Sequence, residues 1–304
     1  MDLAMQVEEQ LVNAPPDSEI RRRTTIKYLR RNPKLVVGAL MFLSLLAFSF
    51  LGPLFVNTKD AAPMSAMPVS APSREYPFGT DDQGRNLLAV AVVGLPLTLQ
   101  VGLIAGVVAI FIGTILGLTA GYLGGWVDLL IRGICDILLT VPGLVVLITV
   151  AASIKGSISV QTMGLVVAAL AWMWPARTIR SQVLSLRERA YIQMAKLSGM
   201  RTPEIIFREI MPNLLPFLAA SFVGSVSAAI LASIGLEALG LGPQNEPTLG
   251  MTIYWSITYN AVIRGLWWWI VMPIALIIIL FLSLFLMSAG LDEIANPRLR
   301  KADA

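Results

Sequence analysis

The stretch WWWIVMPIALIIILFLSLFLMSAG, residues 267–290, is apolar along nearly its whole length and contains no charged side chain. A helix that crosses a membrane needs roughly 20 such residues, because the bilayer core is about 30 Å thick and an α-helix rises about 1.5 Å per residue. The apolar residues do not alternate with polar ones, as they would in the strands of a membrane barrel. The stretch therefore predicts a transmembrane helix.

Five further segments are also long and mostly apolar, and they lie at 34–56, 96–122, 133–153, 163–180 and 214–236. Hydrophobic residues make up 56% of the chain and charged residues 14%, whereas about a quarter of the residues of soluble domains are charged. We therefore predict an all-α membrane protein whose residues 34–290 form six transmembrane helices. Residues 1–33 are expected to be a cytoplasmic N-terminal segment without a signal-peptide pattern, and residues 291–304 a cytoplasmic tail.

The distribution of Lys and Arg predicts the orientation of the spans, because basic residues near span ends are retained in the cytoplasm. With the N-terminus inside, 18 of the 23 basic residues fall in inner segments. The outer segments then hold Lys59, Arg74, Arg85, Lys155 and Arg264. We expect a plasma-membrane protein with both termini in the cytoplasm. The same bias explains the net charge of +4 without a nucleic-acid partner.

The residues that the sequence lacks disfavour several kinds of chemistry. The chain has no His and a single Cys, Cys135, so neither a transition-metal site nor a His-based catalytic set is expected. No G-x-x-x-x-G-K-[ST] phosphate loop occurs. The chain itself is therefore not expected to be an enzyme or to bind a cofactor. An ion-coupled secondary carrier is the alternative class, although the mid-membrane acidic residue that it would predict is not found.

A charged stripe lies near the inner end of the predicted third span. Asp128, Arg132 and Asp136 recur at i, i+4 and i+8, which places them on one helical face where neighbours can pair. We interpret the stripe as structural ion pairs at the membrane surface.

Small residues form two stripes in the spans. The stripe in the second span predicts close packing against another helix, and it consists of Gly102, Gly106, Gly113, Gly117 and Gly121. The stripe in the fifth span is partly hydroxylated, so packing and lining of a substrate path both remain open for it. Its candidate pathway-lining residues are Ser221, Ser225, Ala228 and Ala232.

A charged insert, RERAYIQMAKLSGMRTPEIIFREIMP at residues 187–212, interrupts the apolar chain. Its first part, from about 185 to 197, predicts a helix. Gly199 follows where a left-handed C-terminal cap residue belongs, since Gly takes a positive φ without cost.

A second helix is predicted directly after this corner. Thr202 is a good N-cap, Pro203 fits the first helical position, and Glu204 complements the positive helix end. The helix presents Ile206, Phe207 and Ile210 on one side, and we expect it to stop before Pro212. A short helix is marginal in water, so lipid or a partner protein must cover its apolar face.

In this insert the sequence resembles the permease subunits of binding-protein-dependent ABC importers. Their motif is E-A-A-x-x-x-G-x₉-I-x-L-P, which Ala195, Gly199 and Pro212 match in spacing. The differing positions are Gln193 for Glu, Met194 for the first Ala, Glu209 at the Ile position and Met211 for Leu. The stretches YPFGTDDQGRNLL at 76–88 and GLGPQNEPTLG at 240–250 resemble the dipeptide, oligopeptide and nickel branch, specifically its second, C-type permease.

The resemblance implies a type I importer permease fold in which residues 185–212 form a cytoplasmic coupling helix. This helix would dock on a separate ATPase, and its implied contact residues are Gln193, Ala195, Gly199, Thr202, Pro203, Glu204, Ile206, Phe207, Ile210 and Pro212. Two ATPase subunits or domains would hold ATP and Mg²⁺, a second permease would share the path, and an extracytoplasmic binding protein would deliver the solute. The implied cargo is a dipeptide or oligopeptide, with oligosaccharides or nickel chelates as alternatives.

Overall fold

The structure is a computed structural model that describes residues 32–295. Within this range the regular structure is helical, and an isolated bridge joins Thr80 and Asn86. The predicted all-α fold class is confirmed. Residues 1–31 and 296–304, which hold most of the two predicted terminal segments and their basic residues up to Arg31 and from Arg298 onward, lie outside the described range. The helices are α1 Pro33–Leu51, α2 Leu87–Leu123, α3 Gly125–Thr140, α4 Gly143–Ser153, α5 Val160–Ala171, α6 Met173–Arg187, α7 Ala190–Leu197, α8 Thr202–Ile205, α9 Met211–Ala238, α10 Leu249–Thr258 and α11 Trp267–Ala295.

Four helical stretches in the described part of the chain are long and apolar enough to cross a membrane, and they are 33–54, 87–123, 202–238 and 267–293. The pairs α3–α4 and α5–α6 pass the same test together, but they are bent by 82° and 43°. If each pair is one span, residues 32–295 contain six spans, in the order that the sequence predicts.

The second span begins at Leu87 instead of Pro96, because Asn86 caps it. The Asn86 side chain accepts a hydrogen bond from the Leu88 backbone N–H at 3.0 Å. Pro96 lies inside the helix. The sixth predicted span, helix α11, also extends beyond its predicted end at residue 290, to Ala295.

The third predicted span is not one straight helix, because the chain breaks at Val141 and Pro142. Proline disfavours helical geometry in the residue before it and cannot donate a backbone hydrogen bond. The fourth span, predicted at 163–180, bends between Ala171 and Met173. Both spans are therefore built from two shorter helices.

Helix α2 lies at the centre of the packing, and its glycine stripe contacts two helices. A Cβ at Gly106 would lie 2.5 Å from Val226 Cγ2 of α9, and a Cβ at Gly113 would lie 2.6 Å from Pro175 Cβ of α6. Distances this short show that both helices touch the α2 backbone. The predicted close packing is confirmed, with two neighbouring helices instead of one.

The region between α1 and α2 packs beside the start of α11. Trp268 donates a hydrogen bond to the Thr80 carbonyl at 3.2 Å, and Arg264 pairs with Asp82 at 2.5 Å. Trp269 is fully buried and stacks on Tyr259. Of the three tryptophans that begin α11, Trp267 is the exposed one.

Candidate coupling site

The corner after α7 has the geometry that the sequence predicts. Gly199 has a φ of 79°, and its N–H donates to the Lys196 carbonyl at 3.1 Å. The Met200 N–H donates to the Ala195 carbonyl at 3.2 Å. These two bonds form the Schellman arrangement that ends a helix at a left-handed glycine. The predicted conformation of Gly199 is confirmed.

The start of α8 differs from the prediction by one residue. Arg201 occupies the N-cap position with extended backbone, and Thr202 is the first helical residue. The prediction of Thr202 as a capping side chain is therefore wrong. Pro203 still lies in the first turn, where its missing N–H costs nothing. Glu204 is bonded to Arg208 at 2.7 Å, one turn later.

Pro212 does not end the helix, which corrects the prediction that the coupling helix stops before it. Residues Ile206–Ile210 form a π-helical turn, in which the Met211 N–H donates to the Ile206 carbonyl, and α9 follows at once. The widened turn changes the register of carbonyls below the proline ring, so the chain passes Pro212 without a break. Residues 202–238 therefore run from the charged insert into the fifth span as one element.

Burial divides the apolar residues of the insert into two sets. Ile205 and Ile210 are buried, as are Ile192 and Ala195, and they pack in the cluster that contains Leu118 of α2. Ile210 and Ala195 therefore hold the insert to its own spans. The implied partner contacts of Ile210 and Ala195 are corrected for this reason, while Ile206 is half-buried.

The second set is exposed and forms what we name the coupling surface, made of Met194, Leu197 and Phe207. Their exposed fractions are 64%, 84% and 66%. Around it, Gln193, Thr202, Pro203, Gly199 and Pro212 are also exposed. The Gln193 side chain donates to the Arg187 carbonyl at 3.3 Å. The structure therefore keeps eight of the predicted contact residues at least partly accessible and buries Ala195 and Ile210.

Polar contacts fasten the insert and the neighbouring spans together. Arg187 donates to the carbonyl of Tyr122 at 3.2 Å, at the end of α2. Arg180 pairs with Asp128 through two bonds, one of them from Nη2 to Oδ2 at 2.6 Å. The interpretation of pairing within the α3 stripe is wrong, since Asp128 and Asp136 pair with Arg180 and Arg177 of α6 instead.

The candidate pathway residues lie on the side of α9 that turns away from the α2 contact. Ser221, Ser225 and Ala232 are half-buried, and Ala228 is exposed. The α2-facing side carries Val226 and Ile230, which meet Gly106 and Gly102. The stripe is thus not part of the α2–α9 seam.

Glu237, at the end of α9, is a buried acidic residue that the sequence prediction missed. Its Oε2 accepts hydrogen bonds from the Thr248 hydroxyl at 2.5 Å and the Met251 N–H at 3.1 Å, which ties the loop 239–248 to the start of α10. Its Oε1 is buried without a partner. The signal in the sequence is one acidic residue directly after an apolar span, followed closely by Gly240 and Gly242, and Gly242 packs on its Cγ.

A family model described as "Binding-protein-dependent transport system inner membrane component" matches residues 113–301, more than half of this 304-residue chain. The chain belongs to this family. It is accordingly a multi-pass membrane protein and the membrane component of a transport system. The match contains the whole insert and α9, so the coupling surface lies within the family region.

Curated relatives of this family align along nearly the whole chain. The dipeptide transport system permease protein DppC of Alkalihalophilus pseudofirmus is 33% identical over 280 residues, covering 91% of this chain and 90% of the relative. The oligopeptide transport system permease protein OppC of Mycobacterium bovis is 29% identical, with 92% and 96% covered. The dipeptide transport system permease protein DppC of Bacillus subtilis is 28% identical, with 90% and 84% covered.

Proposed function

We propose that this chain is a permease subunit of an ATP-driven importer for dipeptides or oligopeptides. The observation that carries the proposal is an exposed apolar coupling surface on a charged insert that continues directly into a membrane span. The peptide cargo follows from the names of the relatives, which are dipeptide and oligopeptide permeases. Both termini lie in the cytoplasm in this proposal, on the side of the insert.

The coupling surface is the docking site for an ATPase subunit. Met194, Leu197 and Phe207 supply the apolar contact, and the ion pair of Glu204 and Arg208 borders it. Two ATPase subunits or domains hold the ATP and Mg²⁺, and they serve this chain and a second permease. A binding protein on the outer side delivers the peptide.

Movement of the ATPases reaches the membrane through the continuous element 202–238. A rigid helix transmits a displacement of its inner end to its outer end, whereas a flexible loop would absorb it. Ile205, Ile210 and Leu214 pack in the same buried cluster, so the insert and the start of α9 move together. The path lies between the two permeases, with Ser221, Ser225, Ala228 and Ala232 along it.

Transport by the assembled importer in liposomes tests this function. We expect uptake of a labelled dipeptide when ATP, both permeases, the ATPases and the binding protein are present, and we expect an uncoupler to leave the uptake unchanged. Uptake that collapses with the uncoupler would identify an ion-coupled carrier. Omitting the ATPases is the matched control.

Docking is tested separately by Phe207→Asp, which places a charge in the apolar contact and should abolish co-purification of the ATPase. Leu165→Asp is not a suitable control, since a charge on a span surface disturbs insertion. Ser157→Asp is the matched control, because Ser157 is exposed in the loop between α4 and α5, outside the spans and the coupling surface. Retention of the ATPase by Phe207→Asp would place the docking site elsewhere.

A further inference from the structure

The charged insert contacts the last turn of α2 in addition to continuing into α9. Arg187, at the end of α6, donates from Nη1 to the Tyr122 carbonyl at 3.2 Å and to the Gly121 carbonyl at 3.4 Å. Lys196 of α7 places its Nζ over the Tyr122 ring, 5.6 Å from the ring centre. A cation at this distance is attracted by the ring face. Two helices therefore each present a positive charge to Tyr122.

The bonds from Arg187 satisfy carbonyls at the end of α2. The last four carbonyls of a helix have no partner within it, and the negative end of the helix attracts cations. The Arg187 side chain is 28% exposed, and its Nε donates to Glu188 at 3.1 Å, so these contacts together fix the orientation of the guanidinium. Arg187 therefore connects the insert to α2 through charge-assisted hydrogen bonds, which are stronger than neutral ones.

Helix α2 continues without a break from these contacts to the start of α10. Its 37 residues extend over about 55 Å, at about 1.5 Å per residue. Near the insert, a Cβ at Gly117 would lie 2.9 Å from Ile179 Cβ of α6, so α6 touches the α2 backbone. Toward the other end, Thr98 Oγ1 accepts a hydrogen bond from the Leu249 N–H of α10 at 3.0 Å. A displacement applied at Tyr122 is therefore carried along the whole of α2.

Movement of α9 without α2 would disrupt the close contact between these two helices. Side chains of α9 pack on the glycines of α2, where Gly102 meets Ile230 and Gly106 meets Val226. Side chains that interdigitate at interior packing density transmit strain and do not slide freely past one another. An ATPase that moves the start of α9 must therefore move α2 with it, and the contacts at Tyr122 are where the insert holds α2.

We propose that Tyr122, held by Arg187 and Lys196, is a second connection through which a docked ATPase moves the spans. The inference rests on the proposed function and names three positioning residues for its coupling step. Lys196 directly precedes Leu197 of the coupling surface, which is 84% exposed. A displacement of the coupling surface is therefore applied one residue away from the contact with α2. The ring contact and the carbonyl bonds transfer it to α2, while the element 202–238 transfers it to α9.

The ring contact is tested by the amount of labelled dipeptide taken up per ATP hydrolysed, in liposomes that hold the assembled importer. Lys196→Met and Tyr122→Leu each remove the contact and should lower this ratio about threefold, while the ATPase still co-purifies because the coupling surface is unchanged. Lys196→Arg and Tyr122→Phe retain a cation and a ring, so both should keep the parent ratio. An equally low ratio in all four variants would show sensitivity to shape alone and would overturn the proposal.

Combining Lys196→Met with Tyr122→Leu shows whether both residues act through one contact. The ratio should then stay about threefold below the parent, because the second substitution removes a contact that is already lost. Independent effects would multiply to about ninefold, and that result overturns the proposal. Arg189→Met is the matched control, since Arg189 is exposed in the same insert and makes none of the Tyr122 contacts, and it should leave the ratio unchanged.

The carbonyl bonds are tested by Arg187→Met, which should lower the ratio about tenfold because charge-assisted hydrogen bonds are lost. Arg187→Lys keeps a positive charge at the helix end and should retain most of the ratio. A covalent link tests the connection without removing Arg187. In a Cys135→Ser background, a bifunctional thiol reagent that joins Tyr122→Cys to Lys196→Cys should raise the ratio of this pair toward the parent value. Uptake that is blocked or unchanged by the link overturns the proposal.

The outcomes separate this inference from the proposed function. Parent ratios in Lys196→Met, Tyr122→Leu and Arg187→Met, in an importer that takes up dipeptide with ATP, overturn the inference alone. A parent importer that takes up no dipeptide, or that takes it up when the ATPases are omitted, overturns the proposed function and with it the coupling role of Tyr122.

Discussion

At the residue scale, Gly199 sets the angle between α7 and α8 through its backbone alone. Its φ is 79°, and an added Cβ would meet no atom within 4 Å. A substitution there is therefore resisted by backbone strain and not by a clash. Asn tolerates this conformation far better than a β-branched residue does.

We expect Gly199→Val to uncouple ATP hydrolysis from uptake, or to release the ATPase, while insertion into the membrane is unaffected. The strain is about 1–3 kcal/mol, and relieving it turns α8 and displaces Phe207 relative to Met194 and Leu197. Gly199→Asn is the control and should behave like the parent, because Asn adopts a positive φ at little cost. The measurements are uptake and ATPase co-purification, and parent-like transport by Gly199→Val would contradict this role.

A second prediction at this scale concerns Glu237. Glu237→Ala removes the acceptor of the Thr248 hydroxyl and of the Met251 N–H, and it leaves a cavity beside Gly250. Buried donors without partners cost about 1–3 kcal/mol each, so we expect a loss of about 3 kcal/mol in the free energy of unfolding. Denaturant unfolding in detergent measures this, together with proteolysis of the loop 239–248.

The matched control for this prediction is Glu246→Ala, since Glu246 lies in the same loop and is exposed. It should change the stability by less than about 0.5 kcal/mol. Equal stability of the two variants would mean that the Glu237 contacts do not hold the loop.

At the element scale, the approach of α9 to α2 depends on the absence of a side chain at Gly106. Gly106→Val would place its Cβ against the Val226 side chain and backbone, and we expect a destabilisation of about 1–3 kcal/mol from overpacking. Gly133→Val is the matched control, because Gly133 is also helical and an added Cβ there meets no atom within 4 Å. Thermal unfolding of both variants in detergent should separate them, and equal midpoints would contradict the tight α2–α9 contact.

The π-helical turn 206–210 determines whether the element 202–238 is continuous, as Gly106 determines how closely α9 approaches α2. An ordinary α-helical turn would set the Pro212 ring against the carbonyl one turn earlier, and the helix would break there. The widened turn instead keeps 202–238 continuous. Continuity of this element is what makes transmission by rigid displacement physically reasonable.

At the scale of the whole molecule, the insert and the spans form one packed unit. In the proposed function, the energy for transport comes from ATP hydrolysis by partner subunits. We expect the purified chain to hydrolyse no ATP and hydrolysis to appear when the partner ATPases are added. The reason is that the sequence contains no phosphate loop. Phosphate release measured on the rigorously purified chain checks this, with a known ATPase in the same detergent as the positive control. Substantial hydrolysis by the chain alone would falsify its proposed role as a membrane subunit.

Features that depend on local chemistry could be predicted from the amino-acid sequence without any knowledge of the packing. Runs of apolar residues indicate the helical membrane class and the order of the spans, because transfer into lipid depends on the residues of each segment. The left-handed cap at Gly199 was predictable for the same reason, since the last residues of a helix and those directly after it determine how the helix ends. The glycine stripe of α2 indicated close packing, because its period is that of a helix.

Which neighbours these elements meet depends on the tertiary structure and could not be predicted in the same way. Helical periodicity placed Phe207 and Ile210 together, but burial against α2 and α6 separates them into an exposed and a buried residue. Asp128 pairs with Arg180, 52 residues away, and not with Arg132 on its own helix. The hydrogen-bond partners of Glu237, which are Thr248 and Met251, likewise lie beside it only because the loop 239–248 folds back on the end of α9. These contacts join residues far apart in sequence, and the geometry of the packed helices selects them from several chemically equivalent pairings.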